Sequence, residues 1–114
     1  MSLRCKRVYD APAATDGTRI LVDRLWPRGL TKARARVDHW VREIAPSTEL
    51  RRWYGHDPVK WPEFKRRYFA ELDARPEEVE ALRGLIGKRR ATLLFGSKEL
   101  RLNNATALVE YLQR

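Results

Sequence analysis

Two short runs of consecutive apolar residues interrupt a chain whose apolar positions otherwise recur every three or four residues. Ile20-Leu21-Val22, within Thr18–Asp23, and Leu93-Leu94-Phe95, within Ala91–Phe95, contain no alternating polar positions. Such runs predict strands covered on both faces, since a strand with one wet face alternates. Leu3–Tyr9 intersperses Arg4, Lys6 and Arg7 among its apolar residues, which predicts a strand at a sheet edge. Ala11–Gly17 reads as a loop, with Asp16-Gly17 as its turn pair. Trp26-Pro27-Arg28-Gly29 stops the strand before it, because Pro27 has no ladder donor and Gly29 relaxes the backbone.

Elsewhere the spacing is helical. Leu50, Trp53 and Tyr54 share a face behind Ser47, a predicted N-cap with Glu49 in the first turn. Trp61, Phe64, Tyr68 and Leu72 form the next face. Asp57-Pro58 precedes it as cap and first position, and Pro62 delays the regular helix by removing an early backbone bond. Pro76-Glu77-Glu78 opens a third helix, with Val79, Leu82 and Ile86 inward and Gly87 as terminator. Asn103 or Asn104 caps a last helix whose face is Ala105, Leu108, Val109 and Leu112. Thr31 caps a short basic turn through Arg34. Residues 37–44 stay open. Val37, Trp40, Val41 and Ile44 fit a helix, yet the length and β-branched content also fit a strand ending at Ala45-Pro46.

Strands separated by helices require crossovers, so the expected fold is α/β: a small, mostly parallel sheet flanked by helices, as a single domain over residues 1–114. Ligands of such sheets bind beyond the carboxyl ends of the strands. Here those ends are Tyr9-Asp10, Asp23-Arg24 and Gly96-Ser97-Lys98.

Composition narrows the chemistry. Lys and Arg number 24 against 15 Asp and Glu, a formal charge of +9, which raises encounter rates with polyanions and phosphorylated molecules. Arg24, Arg28, Lys32, Arg34 and Arg36 fall in one stretch without an acid. Glu71, Asp73, Glu77, Glu78 and Glu80 reverse the balance further on. Lys65-Arg66-Arg67 and Lys88-Arg89-Arg90 read as solvated faces, with nucleic-acid contact as the alternative. A lone Cys5 cannot form an internal disulfide, and with His39 and His56 far apart no structural metal and no cofactor is expected. The start of the chain lacks a signal-peptide pattern, and no apolar stretch approaches the roughly 20 residues that span a bilayer. The expected setting is cytoplasmic, away from membranes.

DGTRILVDRLWPRGL, at residues 16–30, resembles the hallmark segment of the YeaO-like family, a branch of the larger DUF488 group of uncharacterised proteins. The likeness continues through IAPSTELRRWYGHDPVKWPEFKRRYFAEL, residues 44–72, and TLLFGSKELRLNNATALVEYL, residues 92–112. It implies an α/β fold and no established activity. A regulator-of-transcription role attached to some relatives finds no helix-turn-helix pattern here. The chain departs from the family pattern at Gly96-Ser97-Lys98-Glu99, where many relatives have a small residue, Lys and Asp. It departs again at Leu102, near a frequent His or Asn, and at Pro62. A distant branch carries a cysteine near the last strand that this chain lacks.

The candidate residues come from the strand ends, from the rigid Trp26–Gly29 turn, and from His56 beside Asp57 between two helical segments. Asp23 and His56 are the candidate catalytic residues, for acid–base work. Arg24 and Arg28 are candidate clamps on phosphate or carboxylate, and Trp26 a stacking plane. Ser97 and Lys98 stand ahead of a helix start that favours an anion. Each has a plainer reading: Asp23-Arg24 as a buried salt bridge, Trp26 as a cap on the core, Asp57 beside His56 as a helix cap. No phosphate-binding glycine loop, zinc-protease pattern or nucleophile elbow occurs. The expectation is that Asp23, Arg24, Arg28 and Lys98 surround one depression, with Trp26 or His56 at its rim. The function that fits is binding of an anionic, phosphate-bearing small molecule, with acid–base chemistry and turnover left open. The alternative is a nucleic-acid-binding module acting through its basic surface. Ligand identity and oligomeric state are not encoded in any local pattern.

Overall fold

The computed structural model describes residues 2–114. Four strands, β1 (Ser2–Arg7), β2 (Thr18–Leu21), β3 (His39–Trp40) and β4 (Arg90–Phe95), form one sheet in the order β1-β4-β2-β3. Every neighbouring pair is parallel, with Ile20 opposite Leu93 and Leu21 opposite Leu94. The helices are α1 (Lys32–Ala35), α2 (Thr48–Tyr54), α3 (Trp61–Asp73), α4 (Pro76–Ile86) and α5 (Asn104–Gln113). This is the expected α/β fold. The two apolar runs occupy its interior strands, and the charged Leu3–Tyr9 segment its edge. Asp10 N–H turns back onto Arg7 O, so β1 ends before Tyr9.

Alternation along the strands gives the sheet two unlike faces. Leu3, Ile20, Val22, Ala91, Leu93 and Phe95 meet the apolar sides of α2 to α5 in the main core. Leu21 and Leu94 point the other way, into a small cluster with Val8 and Ala35, covered by Trp26, Leu30, Val37 and Trp40. The rest of that second face is polar: Asp16, Arg19 and Thr92 are buried there.

Residues 37–44 form neither a full helix nor a full strand. Two residues pair with β2, and a 3-10 turn follows over Arg42–Ile44. Tertiary pairing overrides the local period: Asp38 and Val41 N–H donate to Arg19 and Leu21 carbonyls, and Asp38 Oδ2 accepts from Arg19 N–H at 2.8 Å. The caps form where expected. Thr31, Ser47 and Asn103 accept from Arg34, Leu50 and Thr106 N–H, and Asp57 caps a 3-10 turn over Pro58–Lys60. α3 starts at Trp61, one residue before Pro62. In α5 Tyr111 and Ala107 are buried, and Val109 only partly so. Gly17 has φ +66°, and a Cβ there would lie 2.1 Å from Arg90 O, so only glycine lets the loop close onto β4.

Candidate functional site

β2 and β4 run the same way, so Asp23 and Gly96 emerge side by side at one edge of the sheet. Gly96 N–H donates to Asp23 Oδ2 at 2.7 Å. α5 returns over this edge. Asn103 is spent on capping it, donating also to Glu99 O at 2.8 Å. Asn104, in the first turn, donates through Nδ2 to Val22 O and to Asp23 Oδ1, both at 3.1 Å. The Trp40 indole holds Asp23 O at 2.8 Å. Asp23 is thus fixed at both carboxylate oxygens by neutral donors. Burial pushes its carboxyl up from the ordinary aspartate range, against the pull of Gly96 N–H, the Asn104 amide and the charge of Arg51.

Asp23 opens onto a cleft of about 580 Å³. Its walls include Arg24, Leu25 and Pro46 on one side, Arg51, Arg52 and Tyr54 of α2 with His56 beyond it, and Ser97, Asn103 and Asn104 opposite. Arg24 Nη2 leans on the carbonyls of Ala45 and Pro46 at 3.2 and 3.4 Å. Among the described residues its buried Nε has no hydrogen-bond partner. Ser47 sets the entry of α2: it caps the helix, and Glu71 of α3 holds both its N–H, at 2.9 Å, and its hydroxyl, at 2.6 Å. α2 then turns Leu50 and Tyr54 inward and leaves Arg51 and Arg52 exposed. Tyr54 stacks on Phe64 with ring centres 4.3 Å apart and donates its hydroxyl to Leu102 O at 2.8 Å. His56 is exposed and holds φ +57°, a left-handed backbone uncommon outside glycine. Among the described residues, Arg24, Arg51 and Arg52 form no ion pair within 4.0 Å.

Of the residues singled out from sequence, Asp23, Arg24, His56 and Ser97 line this cleft, and Trp26, Arg28 and Lys98 do not. Trp26 belongs to the second face of the sheet. It meets Trp40 edge-on at 5.5 Å and donates its indole N–H to Leu30 O at 2.7 Å. Arg28 is exposed, and its carbonyl accepts the Tyr9 hydroxyl at 2.8 Å. Lys98 is exposed on the loop after β4. Ser97 Oγ accepts from Glu99 N–H at 3.0 Å and keeps its hydroxyl hydrogen free to donate. The sequence reading missed Arg51, Arg52 and Asn104. The available signal was Asn103-Asn104, two asparagines where a cap needs one. Arg51 and Arg52 look like any polar face of an amphipathic helix.

The other basic runs differ. Lys65 pairs with Glu110 at 3.0 Å, and Arg66 and Arg67 share Glu63 at 2.6 and 2.8 Å. Those bonds hold the Glu63 carboxyl down at about 2. Lys88-Arg89 precedes β4, at the opposite end of that strand from the cleft. Among the described residues no cluster of His, Cys, Asp and Glu could hold a metal ion, and no helix is long and apolar enough to cross a membrane.

Comparison with known proteins decides the family. The profile described as "Inactive DUF488-N3 subclade" matches residues 2–114. The chain belongs to the YeaO-like DUF488 family. It is 42% identical over 113 residues to "Uncharacterized protein YeaO" of Escherichia coli (strain K12), covering 99% of this chain and 98% of that one. It is 39% identical over 110 residues to "Uncharacterized protein Rv3073c" of Mycobacterium tuberculosis (strain ATCC 25618 / H37Rv), covering 96% of this chain and 92% of that one. "Uncharacterized protein Mb3100c" of Mycobacterium bovis matches at the same 39% over 110 residues. No solved structure matches.

Proposed function

We propose that the cleft binds a small, phosphate-bearing anion and holds it without a covalent step. The observation that carries this reading is the set of arginines without carboxylate partners. Arg24, Arg51 and Arg52 line one concave space, and no carboxylate lies within 4.0 Å of any of them among the described residues. Three guanidinium groups around one space repel one another, and a polyanion bound among them relieves that cost. Arg24 and Arg51 clamp the oxyanion as fork donors. Ser97 donates its hydroxyl, Tyr54, Phe64 and Pro46 form the apolar wall, and His56 borders the mouth. Asp23 supplies the one carboxyl, held protonated more readily than an exposed aspartate.

Binding without a covalent step agrees with the chemistry present. The only thiol, Cys5, lies on β1, and burial pushes it up to about 12, where it is a poor nucleophile. The word "inactive" in the family's description points the same way. The cleft is also a better home for a small anion than the Lys65–Arg67 surface is for a nucleic acid, because each of those three cations is already paired, with Glu110 or with the shared Glu63.

Thermal unfolding across a panel of phosphomonoesters and nucleotides tests the reading. A ligand at about 100 times its Kd stabilises the native state by about 2.7 kcal/mol, a rise of several degrees in Tm. The double variant Arg51→Ala/Arg52→Ala should keep its fold, since both side chains are exposed, and lose that rise. Lys88→Ala/Arg89→Ala should keep it. A panel without a single shift, or a shift that survives the cleft variant, would end the proposal.

A further inference from the structure

We propose that Asp23 makes the cleft selective for an oxyanion that carries an exchangeable proton, a phosphate or phosphomonoester, over a sulfate of the same shape. The inference rests on the anion-binding reading above and adds the determinant of specificity. A carboxyl group is an odd companion for arginines that await an anion. If it paired with them, its role would be to hold them in place, yet among the described residues Asp23 forms no ion pair within 4.0 Å. Its partners are the Gly96 N–H and the Asn104 amide, and the rest of the group borders the cleft. The charged and titratable groups around it are Arg24 beside it, Arg51 and Arg52 on α2, His56 beyond α2, the buried Tyr68 of α3, and Arg7 and Tyr9 from the end of β1, which lie against Gly96. α5 presents only the neutral Asn104.

An ionised carboxylate next to a bound anion repels it unless one proton lies between them. Inorganic phosphate still carries a proton as its dianion at neutral pH and brings it along, whereas a phosphomonoester, with a second pKa near 6, takes one up at a cost of about one pH unit. The arrangements carboxylate···HO–P and carboxyl-OH···O–P hold the same atoms and the same total charge, and either makes a charge-assisted hydrogen bond. A sulfate has no such proton. It enters only if Asp23 first takes one from solvent, and that uptake weakens its binding. Position 23 keeps its acceptor role toward Gly96 in either state, so the fold does not depend on which anion is present.

Isothermal titration of the intact chain with inorganic phosphate and, separately, sodium sulfate tests this at pH 7. Repeating it in two buffers of different ionisation enthalpy counts protons. Phosphate should bind about 10- to 100-fold more tightly, the factor one hydrogen bond to a charged group provides. Sulfate binding should take up more protons than phosphate binding. In Asp23→Asn the preference should collapse while sulfate binds at least as well as before. Equal affinity and equal proton uptake for the two anions in the unmodified chain overturns the selectivity and leaves the anion cleft standing. Undiminished preference in a folded Asp23→Asn variant overturns it as well. Binding of neither anion, nor of any phosphomonoester, overturns both. Should the variant fail to fold, the selectivity and proton count of the unmodified chain decide the matter.

Discussion

Asp16 lies in the loop two residues before β2, and Asp23 lies two residues after that strand's end. Both are withdrawn from solvent, but their surroundings are opposite. Asp16 is 2% exposed and lies within 4.0 Å of Arg4, Lys6 and Arg19. Its desolvation is outweighed by the Ala13 N–H and by the Lys6 and Arg19 side chains, which hold its carboxyl below the usual range. Arg19 in turn donates to the carbonyls of Ala35 and Arg36, at 2.8 and 3.0 Å, so one ion pair ties β2 to the connection leading into β3. Asp23 meets neutral donors, opens onto a cleft, and is pushed up. The contrast separates structural from functional burial of charge. A carboxylate surrounded by cations is finished as a structure, whereas one surrounded by neutral donors beside unpaired arginines is left open on one side, and it is there that the proposed anion would sit.

The strongest test of that contrast is deletion. Asp16→Ala leaves Lys6 and Arg19 without their counter-charge in a buried setting and should cost about 3–5 kcal/mol in denaturant unfolding. A loss below about 1 kcal/mol would remove the structural half of the comparison. Asp23→Ala removes no cation's partner and should cost less than Asp16→Ala measured the same way.

pH gives the sharper test, because the two groups predict opposite slopes. The Asp16 carboxyl is lowered on folding, so its contribution is present above the unfolded pKa of about 3.9 and is lost as pH falls towards the folded value. The stability advantage of the unmodified chain over Asp16→Asn should therefore shrink with acidification below about pH 4. Asp23 is raised on folding, so ionising it in the folded state costs stability. That cost is absent below the unfolded pKa, grows as pH rises through it, and levels off above the folded value. Relative to Asp23→Asn, the unmodified chain should gain as pH falls from neutral towards about 4. Parallel slopes for the two comparisons would show that the two carboxyls share one kind of environment. The smallest effect belongs to Gly96→Ala. Its Cβ would sit 3.3 Å from Asp23 Oδ2 and crowd the carboxyl, for about 1 kcal/mol in unfolding by denaturant.

Much of the fold was legible because its signals are local. The uninterrupted runs at Ile20–Val22 and Leu93–Phe95 marked the interior strands, and the caps at Thr31, Ser47, Asp57 and Asn103 marked helix or turn starts. The edge of the sheet that holds the cleft was legible too, since parallel strands deliver their ends to one side. Arg19 was a readable hint left unused: an arginine inside an otherwise apolar strand demands a buried acceptor, and Asp16 of the turn pair is that acceptor. Residues 37–44 were not legible, because their pairing with β2 depends on where Asp38 and Val41 find carbonyls, not on their own period.

The membership of the cleft belongs to the tertiary level for the same reason. Sequence alone marked Asp23, Arg24 and Ser97 as chemistry at the strand ends, through hydrophobic period and strand direction, and His56 as a histidine beside a carboxylate; all four line the cleft. It could not distinguish them from Arg28 and Lys98, which are exposed and do not line the cleft, or from Trp26, which the second face absorbs. Nor could it bring in Arg51 and Arg52, which reach the site only because Ser47 and Glu71 fix how α2 leaves the sheet. Periodicity is set by neighbours along the chain. Which charges are paired, and which are left facing a cavity, is set by residues far apart in sequence whose contacts exist only once the chain has folded.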